Sequence, residues 1–328
     1  MQTQPKIDEI DTKILKTLLV DSRTSFTRLA KDCGISIGAV RMRYKNLWEK
    51  GIIKGEITLV NPQSLGFEYA ADLGIMTTVE HEKEVTEFLS NKQHRHIYTV
   101  GPFGKYSVFA VAVFRSMQDL TETIREVESH PHVKRVETII WTEATYMEHM
   151  DKLVFGTSGK GAENPNNKAP KTTNLKKTKL DETDLKIARI LSQNARMPFK
   201  RIAEELGIST KNVIQRFRRL KGSVLTVSTI TVDLTKLGYQ AFAFFYTKVS
   251  KRSNLQGIYT KMLEIPNVVV LIKNVGPYDV HGTVFLHNFE DLFEATEQLR
   301  KLPGIEHTDI FVTPAWNKWP PNLFATLM

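Results

Sequence analysis

Residues 7–47 read IDEIDTKILKTLLVDSRTSFTRLAKDCGISIGAVRMRYKNL, and residues 180–220 read LDETDLKIARILSQNARMPFKRIAEELGISTKNVIQRFRRL. At a constant offset of 173 the two stretches align without a gap. Arg23 falls on Arg196, Phe26 on Phe199, Arg28 on Arg201, Val40 on Val213 and Arg43 on Arg216, while Gly34-Ile35-Ser36 falls on Gly207-Ile208-Ser209. A match of this length means that one unit is present twice. Each stretch reads as three short helices. Ile10, Ile14 and Leu18 recur at helical spacing behind Asp8, a good N-cap with further acids in the first turn. A second helix starts near Ser25, or Pro198, and is stopped by Gly34 or Gly207, where a tight turn favours glycine. Ser36 and Ser209 cap a third helix with an apolar stripe of Val40, Tyr44 and Leu47, or Val213, Phe217 and Leu220. Helix, short turn and helix is the helix-turn-helix arrangement.

Downstream, the match returns at Leu65-Gly66-Phe67 with Leu237-Gly238-Tyr239, at Val100-Gly101-Pro102-Phe103 with Val275-Gly276-Pro277-Tyr278, and at Pro131 with Pro303. Strands are predicted near 69–79, 95–100, 106–114 and 133–142, and near 240–249, 268–275, 279–286 and 306–312. Helices are predicted around 83–90, 117–129, 255–263 and 289–302. That order, βαββαβ, is the ferredoxin-like arrangement. The fold class is therefore α+β, with two helix-turn-helix domains (1–60 and 180–235) alternating with two ferredoxin-like modules (61–155 and 236–328, the latter with a C-terminal tail). Residues 156–179, rich in Gly, Pro, Asn and Lys, read as a flexible basic linker.

The 328 residues carry 45 Lys+Arg against 36 Asp+Glu, a formal charge of +9, and 41% of them are hydrophobic. This composition excludes wholesale disorder, and no apolar run approaches the roughly 18 residues of a membrane span. The opening MQTQPKIDEIDTK lacks the apolar core of a signal peptide. One cysteine, Cys33, excludes an internal disulfide or a multi-cysteine zinc site and suits a reducing cytoplasm. The charge is uneven: residues 6–55 hold 11 basic and 6 acidic side chains, and residues 181–223 hold 10 and 5. The first βαββαβ segment, 56–155, holds 9 and 15. Excess positive charge on the helix-turn-helix segments and the linker is where phosphates would be met.

The ordered set of LDExD, R-x-x-F-x-x-(I/L)-A, G-I-S, V-x-x-R and a final Leu, found twice and followed each time by βαββαβ, resembles the leucine-responsive regulatory protein (Lrp/AsnC) family. The resemblance implies winged helix-turn-helix heads that bind double-stranded DNA. It also implies ferredoxin-like modules that oligomerise and often hold an amino-acid effector. The expected role is sequence-specific transcription regulation in the prokaryotic cytoplasm, on the nucleoid, by an intramolecular pseudo-dimer, a homo-oligomer or both. Expected DNA contacts are Ser36, Arg41, Arg43 and Lys45 in the first head, and Ser209, Lys211, Asn212, Gln215, Arg216 and Arg219 in the second. Arg43 and Arg216, at the matched position, are expected on phosphates. The family's Gly-x-(Tyr/Phe)-Asp element matches Gly276-Pro277-Tyr278-Asp279, so Gly276, Tyr278 and Asp279 are the expected effector residues. The first copy reads Gly101-Pro102-Phe103-Gly104, without the aspartate. Two further departures are the fusion of two units in one chain and Lys221-Gly222-Ser223, which predicts a shorter or differently placed second wing.

No nucleotide-loop or nucleophile-elbow motif is present, so no cofactor and no catalytic residue is expected. His94 with His96 and His130 with His132 are close pairs that match no metal signature, and no metal is expected; Asp279 and His281, on alternating strand positions, either contact a ligand or belong to an edge strand. Two other classes share the architecture. One is a tetrapyrrole enzyme of the sirohaem-decarboxylase kind, faintly echoed in Arg218-Arg219 and Lys236-Leu237-Gly238-Tyr239. The other is a small-molecule sensor or scaffold with silent heads. The tail Trp316-Asn317-Lys318-Trp319-Pro320-Pro321 is expected to cover a hydrophobic face.

Overall fold

A computed structural model describes residues 6–90, 96–145, 179–250, 253–265 and 267–328. The expected linker lies outside these residues except for Lys179, as does His94.

The first head comprises α1 (Glu9–Val20), α2 (Phe26–Cys33), α3 (Ile37–Glu49) and a wing strand β1 (Ile53–Val60). Its module follows as β2 (Tyr69–Met76), α4 (Glu82–Leu89), β3 (Ile97–Phe103), β4 (Tyr106–Phe114), α5 (Met117–Glu128) and β5 (Arg135–Thr145). The second head is α6 (Glu182–Gln193), α7 (Phe199–Leu206), α8 (Thr210–Leu220) and β6 (Leu225–Val232). The second module is β7 (Ala241–Val249), α9 (Leu255–Glu264), β8 (Val268–Val275), β9 (Val280–Leu286), α10 (Phe289–Lys301) and β10 (Ile305–Pro314). Asp8, Ser25, Ser36, Asp181 and Ser209 each cap a helix through a side-chain oxygen. Gly34 and Gly207 end α2 and α7 at φ of 67° and 65°, a conformation that costs glycine nothing.

Each module has the strand order expected of a ferredoxin-like sheet, β5-β2-β4-β3 and β10-β7-β9-β8. They merge through an antiparallel β5–β8 ladder into one eight-stranded sheet. Alternation decides the faces. In β2, Ala71, Leu73 and Ile75 point to α4 and α5, where they meet Val85, Leu89, Leu120 and Val127. The opposite face turns inward, and Tyr106, Phe109, Val111 and Ile139 of the first module pack with Tyr246 and Tyr278 of the second.

The heads are joined just as directly. β1 and β6 form an antiparallel two-stranded ladder centred on Ile57 and Thr229. Both wing strands have eight residues, so the expected shortening of the second wing is corrected: Gly222, at φ 82°, turns the chain tightly and restores the strand. Arg23 reaches from the first head to the Ala195 carbonyl and lies over the Phe199 and Phe217 rings. Arg196 makes the return reach, donating to the carbonyls of Ser22 and Thr24 and lying over Phe26 and Tyr44. It also pairs with Glu56 at 3.4 Å.

The core of the first head runs on without a break into Ile230, Val232, Phe242 and Phe285 of the second copy. The C-terminal tail closes this region as expected. Trp319 is buried and exchanges two backbone hydrogen bonds with Val232, Trp316 stands edge-on to Phe242, and Asn322 donates to Thr58 O and Ser192 O.

Candidate nucleic-acid interface

The third helices, α3 and α8, are built alike. Val40 and Leu47 bury one side of α3, and Val213 and Leu220 bury the same side of α8. The Ser36 hydroxyl accepts from Ala39 N–H at 3.1 Å and the Ser209 hydroxyl from Asn212 N–H at 3.2 Å. Such caps are worth about 1 kcal/mol each, so both serines serve the helix starts.

Arg43 and Arg216, the matched pair expected on phosphates, are engaged with carboxylates inside their own heads. Arg43 Nη1 donates to Asp8 at 2.7 Å and to Asp11 at 2.8 Å. Arg216 Nη1 donates to Asp181 at 2.6 Å and to Asp184 at 2.8 Å, and its Nε donates to Asn212. Hydrogen bonds donated to Asp11 and Asp8 raise the Arg43 pKa, and those donated to Asp181 and Asp184 raise that of Arg216. Each guanidinium ties the third helix to the first. Arg219 adds a second contact to Asp184, which is fully buried.

The cations and amides left to face outward are fewer than expected. Arg41, Lys211, Gln215 and Arg218 are exposed and form no ion pair with the described residues. Lys45 pairs at 3.3 Å with Glu49, four residues on, with both side chains exposed, a contact of little strength that a phosphate can replace. Asn212 gives its oxygen to Arg216 and keeps its amide N–H groups; with Gln215, Arg216 and Arg219 it lines a shallow depression along α8. Arg218, outside the set of expected contacts, takes the place of Lys45 at the 173-residue offset. The two outward faces differ at every such position: Gly38, Arg41, Met42 and Lys45 on α3 stand against Lys211, Ile214, Gln215 and Arg218 on α8.

The expected effector residues do not converge. Gly276 lies on the surface at φ 142°, and Tyr278 is buried with its hydroxyl donating to Asp309. Asp279 accepts from Val249 N–H at 2.8 Å and from Lys248 Nζ at 3.2 Å, so it does not present a free carboxylate. Its counterpart in the first module is also corrected. Strand register puts Tyr106 in the place of Tyr278, and the Tyr106 hydroxyl donates to Glu137 as that of Tyr278 does to Asp309. Ser107 then takes the place of Asp279, and its hydroxyl accepts from Thr77 N–H, the equivalent of Val249 N–H. The repeated element is thus Gly104-Lys105-Tyr106-Ser107, three residues beyond the run that sequence similarity selects. Gly104 also has positive φ and leaves room for the Phe311 ring of the other module.

Between the two modules lies a buried polar group that the sequence signals only through the Asp279–His281 alternation. Asp72 accepts from the Tyr246 hydroxyl at 3.3 Å and lies 3.6 Å from His281 Nδ1. The Trp141 indole N–H approaches this carboxyl without an aligned hydrogen bond. Burial raises the Asp72 pKa to about 8, against the opposing pull of Trp141 and Tyr246, and lowers that of His281 to about 3. Both groups are therefore neutral at pH 7.

The architecture and the paired third helices define a winged helix-turn-helix protein with a built-in second copy. A winged helix-turn-helix DNA-binding model matches residues 7–54, and an AsnC-type helix-turn-helix domain model matches residues 180–221. An uncharacterised HTH-type transcriptional regulator of Pyrococcus furiosus is 31% identical over 139 residues, covering 42% of this chain and 93% of the relative. The HTH-type transcriptional regulator LrpA of Pyrococcus horikoshii is 41% identical over 119 residues, covering 36% of this chain and 83% of the relative. Among solved structures, a sirohaem decarboxylase, NirDL, aligns with a TM-score of 0.64 over 93% of this chain and 91% of its own, at 15% identity, a likeness of fold. The chain belongs to the Lrp/AsnC family of DNA-binding transcription regulators. Among the described residues no helix is long and apolar enough to cross a membrane.

Proposed function

We propose that one chain is a complete, asymmetric DNA-reading unit, a sequence-specific regulator whose two heads address unlike half-sites. The observation that supports this reading is the joint between the heads, in which the β1–β6 ladder and the crossed Arg23 and Arg196 contacts tie α3 and α8 into one body. Lys45, Lys211 and Arg218 supply phosphate contacts that set position and affinity. Arg41 reads guanine, and Gln215 and the free amide of Asn212 read adenine, each such contact being worth about 1–3 kcal/mol of discrimination. The unit works in the prokaryotic cytoplasm, on the nucleoid. In vitro selection from random DNA, with footprinting, tests the reading. The expected site has two different halves; a short perfect palindrome covered by one chain overturns it.

An amino-acid effector at the Gly276–Asp279 turn would have to displace Lys248 from Asp279, and calorimetry with an amino-acid panel decides whether one does. On the inward face, Tyr106, Phe109, Tyr246 and Tyr278 are all buried and pack together. A Soret shift on incubation with sirohaem would reverse the reading.

A further inference from the structure

On the helix-covered side of the first module, side chains from two distant chain segments converge. His81 closes the short turn before α4, Glu84 lies in the first turn of α4, and His130-Pro131-His132 makes the connection from α5 to β5. Donor atoms of His81, Glu84 and His132 all lie within 4.8 Å of one another. His81 Nδ1 is 3.4 Å and His132 Nε2 3.6 Å from the same carboxylate oxygen, Glu84 Oε2. We propose that His81, His132 and Glu84 form a binding site for a divalent transition-metal ion, with Zn²⁺ the fitting occupant.

The surrounding groups prepare the donors. Glu80 Oε1 faces His81 Nε2 at 3.5 Å, placed to hold the imidazole proton on that nitrogen when Nδ1 takes an ion. The Nδ1 of His130 accepts from the His132 backbone N–H at 3.3 Å, so its proton sits on Nε2, 3.8 Å from Glu84 Oε1, where it steers the carboxylate. A carboxylate behind a ligating imidazole and a donor behind a ligating carboxylate are the usual supports of a metal site. Two nitrogens and one oxygen suit Zn²⁺ and leave a fourth position for water. The His81 and His132 rings are stacked, with centroids 3.5 Å apart and planes 11° apart. Loading requires these rings to splay until their lone pairs converge, with donors roughly 3.3 Å apart around an ion held at zinc–nitrogen distances. All three ligands are partly exposed, so an ion reaches them from solvent.

The second module shows that the fold does not need these side chains. Ser250 N–H donates to Gly304 O where the Thr77 hydroxyl donates to His132 O, so the same connection docks in both modules. The positions of His81, Glu84 and His132 are there filled by Asn254, Gly257 and Gly304. The donor set is an addition to one copy, placed where the repeat manages without it.

The test uses the full, tag-free chain and Zn²⁺, with titration calorimetry, thermal melts, and Co²⁺ as a visible-absorption probe of coordination. One high-affinity ion per chain is expected, with a rise in melting temperature and tetrahedral cobalt bands. His81→Asn and His132→Gly, which copy the second module, should each bind at least about tenfold more weakly and melt normally without metal. Glu80→Gln, an exposed substitution that leaves the ligands in place, should also weaken binding by about tenfold. His307→Gln should change nothing. Melting unaffected by zinc, or binding as tight in the three site variants as in the parent, overturns the proposal.

Discussion

Replacing Arg196 by Ala should cost far more stability than replacing Arg23, although the two residues occupy the same place in the repeat. Arg196 makes hydrogen bonds to two carbonyls and an ion pair with Glu56, whose side chain is 13% exposed against 18% for Arg196. Burial already raises the Glu56 pKa, and the Tyr44 hydroxyl and Arg196 counter it. Removing the guanidinium leaves that largely buried carboxylate beside Tyr44 without its ion-pair partner and opens a gap over Phe26. Breaking such a pair costs about 3–5 kcal/mol. Arg23 contacts a carbonyl and two aromatic rings and feels Glu56 only at longer range, forming no ion pair with it, while the position matching Glu56 in the second copy is Ser228. Its loss should cost about 1–2 kcal/mol, the scale of one charged hydrogen bond with ring stacking. Urea unfolding of the parent and both variants, monitored by fluorescence and by far-ultraviolet dichroism, reads the difference. Equal costs, or an Arg196→Ala cost below about 1 kcal/mol, would refute the reasoning that a single buried carboxylate makes the joint unequal.

Three other outcomes follow from the same geometry. Asp72 is raised from 3.8 to about 8, so its contribution is complete below pH 4 and is lost as pH climbs to 8; His281 is lowered from 6.5 to about 3, so its contribution is lost as pH falls from 6.5. Stability should thus vary little from pH 4 to 6.5 and decline toward pH 8. Asp72→Asn should abolish the decline and expose a rising limb below 6.5, as thermal melts at a series of pH values would show. With about three phosphate contacts from the third helices, DNA affinity should fall about 40-fold between 50 and 200 mM salt, and a flat dependence counts against the interface. Arg218→Ala should lower the salt slope by about 0.9 without loss of stability, whereas Arg216→Ala should destabilise the second head by about 1–3 kcal/mol, because Asp184 is fully buried.

The helices, their caps and the βαββαβ order are legible in the sequence because they rest on local signals: Asp or Ser before an apolar stripe, glycine after it, and alternation in strands. The two halves of the joint are not. Arg23 and Arg196 are visible as repeated residues, but nothing local says that each points into the other head. The β1–β6 and β5–β8 ladders likewise pair strands that sequence patterns treat as separate. Misreading the Gly-x-Tyr element has a plain cause: Gly101-Pro102-Phe103 imitates Gly276-Pro277-Tyr278, and only strand register shows that Gly104 and Tyr106 hold the equivalent places. Among the expected DNA contacts, charge was readable and its destination was not. The acids that claim Arg43 and Arg216 lie more than thirty positions earlier, in the same LDExD-like runs that mark the first helix.

The unequal wing joint has a consequence for how this molecule can change. In an assembly of identical chains every substitution is written twice, and near the rotation axis it confronts its own image. Position 56 lies one residue from the centre of the wing ladder, so an identical pair would place two half-buried carboxylates close together. Here Glu56 answers Arg196 while Ser228 fills the mirrored place, and no such confrontation arises. Covalent fusion has released the axis from self-complementarity, and each half can be altered singly at the position where a symmetric partner is least forgiving.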